Sequence, residues 1–213
     1  MLPVLIGVYL VSAIVAVVAS ETQRKRLLIV TKPLTTLLLF AIVGWPESSL
    51  AWKVTIGILF SLGGDVALLF DGKRAFMIGL ALFLGAHASY IAAFSHVDAG
   101  STGAIVYAVL IAITTGMTLR KVWPGAAGIR VPLIIYATLL SAMAITAFAT
   151  MGGPLPVTAA RLAAGGGLLF YIADSSLALT TFAKPIKHAS VLTIGVYWIG
   201  QLGIALAAHA SQP

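Results

Sequence analysis

Long apolar stretches alternate along this chain with short polar breaks, and most of the stretches are too long for the core helices of a soluble domain. A helix rising about 1.5 Å per residue needs about 20 mostly apolar residues to cross a hydrocarbon layer of about 30 Å. Eight stretches approach that length, at approximately 2–20, 27–44, 54–70, 75–95, 103–119, 131–151, 160–182 and 189–209. The breaks carry turn chemistry, as in Trp45-Pro46-Glu47-Ser48, Asp71-Gly72-Lys73-Arg74, Trp123-Pro124-Gly125 and Gly152-Gly153-Pro154. No break can house a soluble domain. The pattern therefore predicts an all-α integral membrane protein, a single transmembrane domain over residues 1–213 built as a bundle of eight helices.

Composition agrees with that architecture and narrows the chemistry. The 213 residues are 60% hydrophobic and 9% charged, with a net charge of +7. There is no cysteine, which removes disulfides, thiolate nucleophiles and cysteine metal sites. The N-terminus has no basic segment before its apolar run and no nearby cleavage pattern, so span one is expected to be a retained helix. The basic residues cluster in particular breaks: Arg24, Lys25 and Arg26, then Lys73 and Arg74, then Arg120, Lys121 and Arg130, then Lys184 and Lys187. These all fall on one side, and only Lys53 and Arg161 fall on the other. The excess of Lys and Arg in cytoplasmic loops places those four breaks in the cytoplasm and both termini outside, with a bacterial inner membrane as the expected location. Clustering between spans also explains the positive charge without nucleic acid. Trp45, Trp52 and Trp123 fall at span ends, where interfacial aromatics are expected.

Spans one to four and five to eight start on the same side, so a parallel four-plus-four repeat is topologically allowed. Pro33-Leu34 echoes Pro132-Leu133, and Asp65 with Leu68 echoes Asp174 with Leu177.

Among six acids, Asp65 and Asp174 interrupt apolar helices. A carboxylate at mid-membrane costs about 2.5 to 3.5 kcal/mol on insertion scales, so it normally faces a cavity or a partner. Counting helix rise from the span ends puts Asp65 about 8 Å and Lys32 about 9 Å inside the cytoplasmic boundary, with Asp174 deeper. Lys32-Pro33 is read as lying near the start of span two, where proline is tolerated. His87 and Tyr90 share a face of span four; Tyr197 and Gln201 share a face of span eight. Two carboxylates in one partly dry cavity repel each other, so one is expected to hold a proton while the other stays ionised, which supplies an acid and a base.

Blander roles stand beside these. The aspartates can be structural, Asp65 paired with Lys32, and Lys32 can be a snorkelling lysine instead of an anchor for an anionic headgroup. His87 can be an ordinary interior histidine, and Tyr197 and Gln201 plain interhelical hydrogen bonds. Gly63-Gly64 and Gly165-Gly166-Gly167 read most simply as close helix contacts. His96, His188 and His209 lie near span ends, so no three-histidine zinc site is expected, and no cofactor-binding motif occurs.

The ordered set Lys32-Pro33-Leu34, Leu62-Gly63-Gly64-Asp65-Val66, Phe83 through His87 to Tyr90, Tyr171-Ile172-Ala173-Asp174-Ser175-Ser176-Leu177-Ala178, and Tyr197 through Gln201 resembles the YhhN-type lysoplasmalogenase family of eight-span membrane proteins. The chain departs from the family pattern at Ala173, where serine is expected. The resemblance implies metal-independent hydrolysis of the vinyl ether of a lysophospholipid taken from the bilayer, releasing a fatty aldehyde and a glycerophospho-ethanolamine or glycerophosphocholine. It implies Asp65 and Asp174 as catalytic residues; which is acid and which base is not readable from it, and only the greater depth of Asp174 favours Asp174 as acid and Asp65 as base, since burial raises a carboxyl pKa. Lys32, His87, Tyr90, Tyr171, Tyr197 and Gln201 would then bind or orient the substrate or water. Two rivals remain at this level. A small-solute or proton-coupled transporter would use the aspartates as a path, but would stage ionisable residues across the full thickness. A diaspartyl intramembrane protease fits worse, since Leu62 replaces the first glycine of its Gly-x-Gly-Asp motif and Tyr171 is not adjacent to Asp174.

Overall fold

The computed structural model describes residues 1–95 and 101–213, and His96 lies outside them. Among the described residues eight helices are long and apolar enough to cross a membrane, the eighth when counted from Val191 with the segment that leads into it. They are α1 (Leu2–Glu21), α2 (Lys25–Val43), α3 (Ser49–Ala67), α4 (Lys73–Phe94), α5 (Thr102–Val122), α6 (Arg130–Ala149), α7 (Val157–Phe182) and α8 (Val196–Ala210). A π-helical segment, Val191–Gly195, leads directly into α8, and a 3₁₀ turn, Thr150–Gly152, follows α6.

The predicted spans are all present, with one boundary displaced in a way that matters. Span three begins at Ser49 rather than near Val54, because the Ser48 hydroxyl caps the helix by accepting from the Ala51 amide. It ends at Ala67 rather than Phe70. Leu68 to Phe70 are apolar but turn toward Gly72, whose φ of 108° opens α4, so hydropathy continues where the helix does not. Asp65 therefore sits in the last turn of α3, closer to the helix end than the span count suggested. Pro33 is also displaced: it is an interior residue of α2, eight positions past Lys25. It leaves the carbonyl of Ile29 without its helical donor, a defect near the middle of a spanning helix.

Packing follows the order of the two halves. Consecutive helices pair, most extensively α3 with α4 and α7 with α8. Across the halves α2 meets α8 and α4 meets α6, which are equivalent contacts under a four-plus-four exchange. The proline echo does not extend this equivalence, since Pro132 is the third residue of α6 while Pro33 is deep in α2.

Small residues set the closest approach. A Cβ on Gly166 would lie 2.8 Å from the Gly200 carbonyl oxygen and 2.8 Å from the Ile204 nitrogen, so α7 and α8 touch backbone to backbone. Gly63 and Gly64 receive Leu82 and Phe83 of α4, and Gly167 receives Ala147 of α6. Gly165, expected to share that role, faces open space. Outward positions such as Ile105, Val109, Ile113 and Met117 leave α5 mostly exposed, as a lipid-facing helix should be.

Candidate active site

A cavity of about 350 Å³ opens among α1, α2, α3, α4, α7, the π-helical segment and the start of α8, a size suited to a small ligand. Lys32, Asp65, Asp174 and Tyr197 all line it. Leu68, Phe76, Phe83 and Leu177 supply apolar wall; Ser190 and Thr193 supply hydroxyls near the mouth. The mouth lies among the α1–α2, α3–α4 and α7–α8 connections, so it faces the end of the bundle that carries most of the Lys and Arg.

Asp65 is buried and fully engaged. Lys32 Nζ lies 3.1 Å from its Oδ1, while the hydroxyls of Thr36 and Tyr197 donate to Oδ2 at 2.7 and 2.9 Å. Lys32 comes from the Pro33 region of α2 and is itself buried, with Nζ also 3.4 Å from the Asp65 carbonyl oxygen. The structural pairing left open above is present, and the same two residues face the cavity. Behind them runs a directional chain of hydrogen bonds. The Tyr90 hydroxyl donates to Gln201 Oε1 at 2.8 Å, Gln201 Nε2 donates to the Tyr197 oxygen at 3.1 Å, and Tyr197 donates to Asp65. Every donor in this chain points toward the carboxylate.

Asp174 is held differently. The Tyr136 hydroxyl of α6 donates to Oδ2, and His87 Nε2 of α4 lies 3.7 Å from the same oxygen. No Lys or Arg among the described residues pairs with it. His87 is fully buried, with Tyr136 and Phe170 rings edge-on at 5.0 and 5.1 Å, and neither of its nitrogens finds a hydrogen-bond partner among the described residues. The two aspartates occupy equivalent settings in the two halves: each takes a hydroxyl from the preceding helix and a side chain from the last helix of the other half.

The candidate set thus separates into groups. Lys32, Asp65, Asp174 and Tyr197 meet in the cavity. Tyr90 and Gln201 stand behind it and reach it only through Tyr197. Tyr171 turns to α5, where its hydroxyl lies 2.9 and 2.8 Å from those of Thr114 and Thr115. His188, beyond α7, bonds to Glu21, and His209 lies in the last turn of α8. Two residues escaped the sequence reading. Thr36 follows Lys32 by one helical turn, a usable signal; Tyr136 is a buried tyrosine in a span with no acid, and only its contact reveals it. Among the described residues no three of His, Asp and Glu gather as a metal-ligating group.

The YhhN family model matches residues 27–208, nearly the whole helical bundle. Lysoplasmalogenase TMEM86A of Homo sapiens is 29% identical over 167 residues, covering 76% of this chain and 67% of that protein. Its Bos taurus counterpart is 30% identical over 169 residues with the same coverage. Lysoplasmalogenase TMEM86B of Homo sapiens is 30% identical over 158 residues, covering 72% of this chain and 62% of that protein. The aligned part of the chain spans about two thirds of the length of these relatives. No solved structure matches the chain. The matched region contains both aspartates and all the residues that hold them, and the chain belongs to the YhhN family.

Proposed function

We propose that this chain is a membrane-embedded lysoplasmalogenase, a hydrolase that cleaves the vinyl ether of a lysophospholipid by aspartate acid and base catalysis. The substrate class follows from the names of its relatives. The observation that carries the mechanism is the unequal partnering of two aspartates on one cavity: Asp65 has a lysine and two hydroxyls, whereas Asp174 has the Tyr136 hydroxyl, with His87 Nε2 no nearer than 3.7 Å.

A vinyl ether is activated by protonation of its β-carbon, which leaves an oxocarbenium ion for water to attack. Asp174 lacks a lysine or arginine partner and sits against apolar wall, where the neutral acid form is the better tolerated one. Tyr136 occupies one of its oxygens and leaves the other to present the proton. Asp65, paired with Lys32, is the carboxylate that faces the developing cation and takes a proton from the attacking water. The hemiacetal then collapses, its C–O bond to glycerol breaks, and the glycerol oxygen takes up a proton. One water is consumed, and a fatty aldehyde and a glycerophospho-headgroup leave. The basic end of the bundle is cytoplasmic by the positive-inside rule, so the cavity opens to the cytoplasmic half and a single-chain lipid enters from the bilayer.

The test is mass spectrometry of aldehyde release from 1-alkenyl lysophosphoethanolamine by purified protein in D₂O. Carbon protonation places one deuterium at C2 of the aldehyde. Asp174→Asn is expected to lower the rate by about 10² to 10⁴, the usual worth of a general acid, and Asp65→Asn by a similar factor. Full activity in Asp174→Asn, or an aldehyde without deuterium at C2, defeats the mechanism.

A further inference from the structure

At the mouth of the cavity lies a second recess of about 180 Å³ with a different character. It shares Ser20, Leu28, Leu68 and Leu69 with the main cavity, so the two spaces have a common wall. Its own contribution is Ala19, Gln23, Lys25 and Asp71. Lys25 Nζ and Asp71 Oδ2 are 2.7 Å apart, bridging the start of α2 to the α3–α4 turn. We infer that Lys25 and Asp71 form a headgroup subsite for zwitterionic phosphoamine lipids, with Lys25 taking the phosphate and Asp71 the ammonium. The inference rests on the hydrolase reading above.

Three features support it. First, Lys25 precedes Lys32 by two turns of α2, about 10 Å of helix rise, which is the order of an extended glycerophospho-amine reaching outward from a bond held between the aspartates. Lys32 is buried in its pair with Asp65, whereas Lys25 is 58% exposed and its pair with Asp71 is open to solvent. Second, the flank of the site away from Lys25 and Asp71 is apolar: Leu80, Leu133 and Phe182 border Asp174 from α4, α6 and α7, near the same end of the bundle. That leaves the polar mouth as the part of the site that can take a charged headgroup. Third, an exposed ion pair is a weak bond, so a zwitterion can insert between its members and satisfy both. The Lys25 ammonium holds the Asp71 carboxyl below its ordinary range, first by its hydrogen bond and then by its charge, and Asp71 therefore stays an anion available to an ammonium.

The experiment measures equilibrium binding of two non-hydrolysable saturated-ether lysolipids in nanodiscs, one with phosphoethanolamine and one with phosphate alone. Asp71→Asn is expected to weaken the phosphoethanolamine lipid about fivefold, what a partly screened charge pair is worth, and to leave the phosphate lipid bound at least as tightly, because it frees Lys25 and removes an anion beside the phosphate. Lys25→Gln is expected to weaken both, and Asp71→Glu to restore selectivity. Equal effects of Asp71→Asn on both lipids, or none on either, overturn the subsite. If the binding pattern holds but no vinyl ether is cleaved, the hydrolase reading fails and the headgroup subsite stands.

Discussion

Asp65 and Asp174 belong to the same residue type and the same cavity, yet their neighbours hold them differently. Asp65 receives Lys32 on one oxygen and two hydroxyls on the other, so its position is over-determined. Removing one member of such a buried ion pair costs about 3 to 5 kcal/mol, which makes Asp174→Asn the cleaner catalytic test. The chain from Tyr90 through Gln201 to Tyr197 makes a graded prediction. Tyr197→Phe deletes a bond to Asp65 itself and is expected to lower kcat about tenfold, near the worth of one charge-assisted hydrogen bond. Tyr90→Phe removes only the far end of the chain, leaving the Gln201 carbonyl oxygen short of a donor; about 1 kcal/mol of stability should go with kcat little changed. Rates and unfolding midpoints of both variants check this, and equal loss of kcat in the two would refute the graded chain. The residues Tyr90, Tyr197 and Gln201 were visible in the sequence as polar positions on shared helix faces. Their order behind Asp65 was not, because it depends on which helices touch.

At the level of helices, the closest contact is between α7 and α8, and its cause is specific. Gly166→Ala would drive a methyl into the backbone of Gly200 and Ile204, atoms that cannot rotate away. Overpacking of this kind costs about 1 to 3 kcal/mol, whereas Gly165→Ala meets nothing within 4 Å and should change stability by less than about 0.5 kcal/mol. Unfolding of both variants in detergent tests the difference, and equal destabilisation would refute the assigned contact. The glycine triplet announced a close approach but not which glycine makes it. That depends on the rotation of α7 about its own axis, and α7 carries no dominant apolar face to reveal that rotation. The early start of α3 was more legible in retrospect: Ser48 is a helix cap, hidden by the low hydropathy of the residues that follow.

For the whole molecule, the side of the membrane on which the cavity opens depends on charge. Since the chain has no cysteine, single-cysteine variants report topology without background. Gln212→Cys is expected to react with an impermeant maleimide in intact cells, and Ala127→Cys only after permeabilisation. The reverse pattern would put the cavity on the outer side. Eight spans and the two acids within them are properties of single segments, since hydropathy acts on each helix as it enters the bilayer, and these were readable from the chain. The partners of those acids were decided by folding. Asp65 meets Tyr197 across 132 positions and Asp174 meets Tyr136 across 38, contacts that exist only because small residues let particular helix faces close on one another. Sequence analysis identified the two carboxylates available for chemistry; packing made one the partner of a lysine and left the other beside a tyrosine and a histidine.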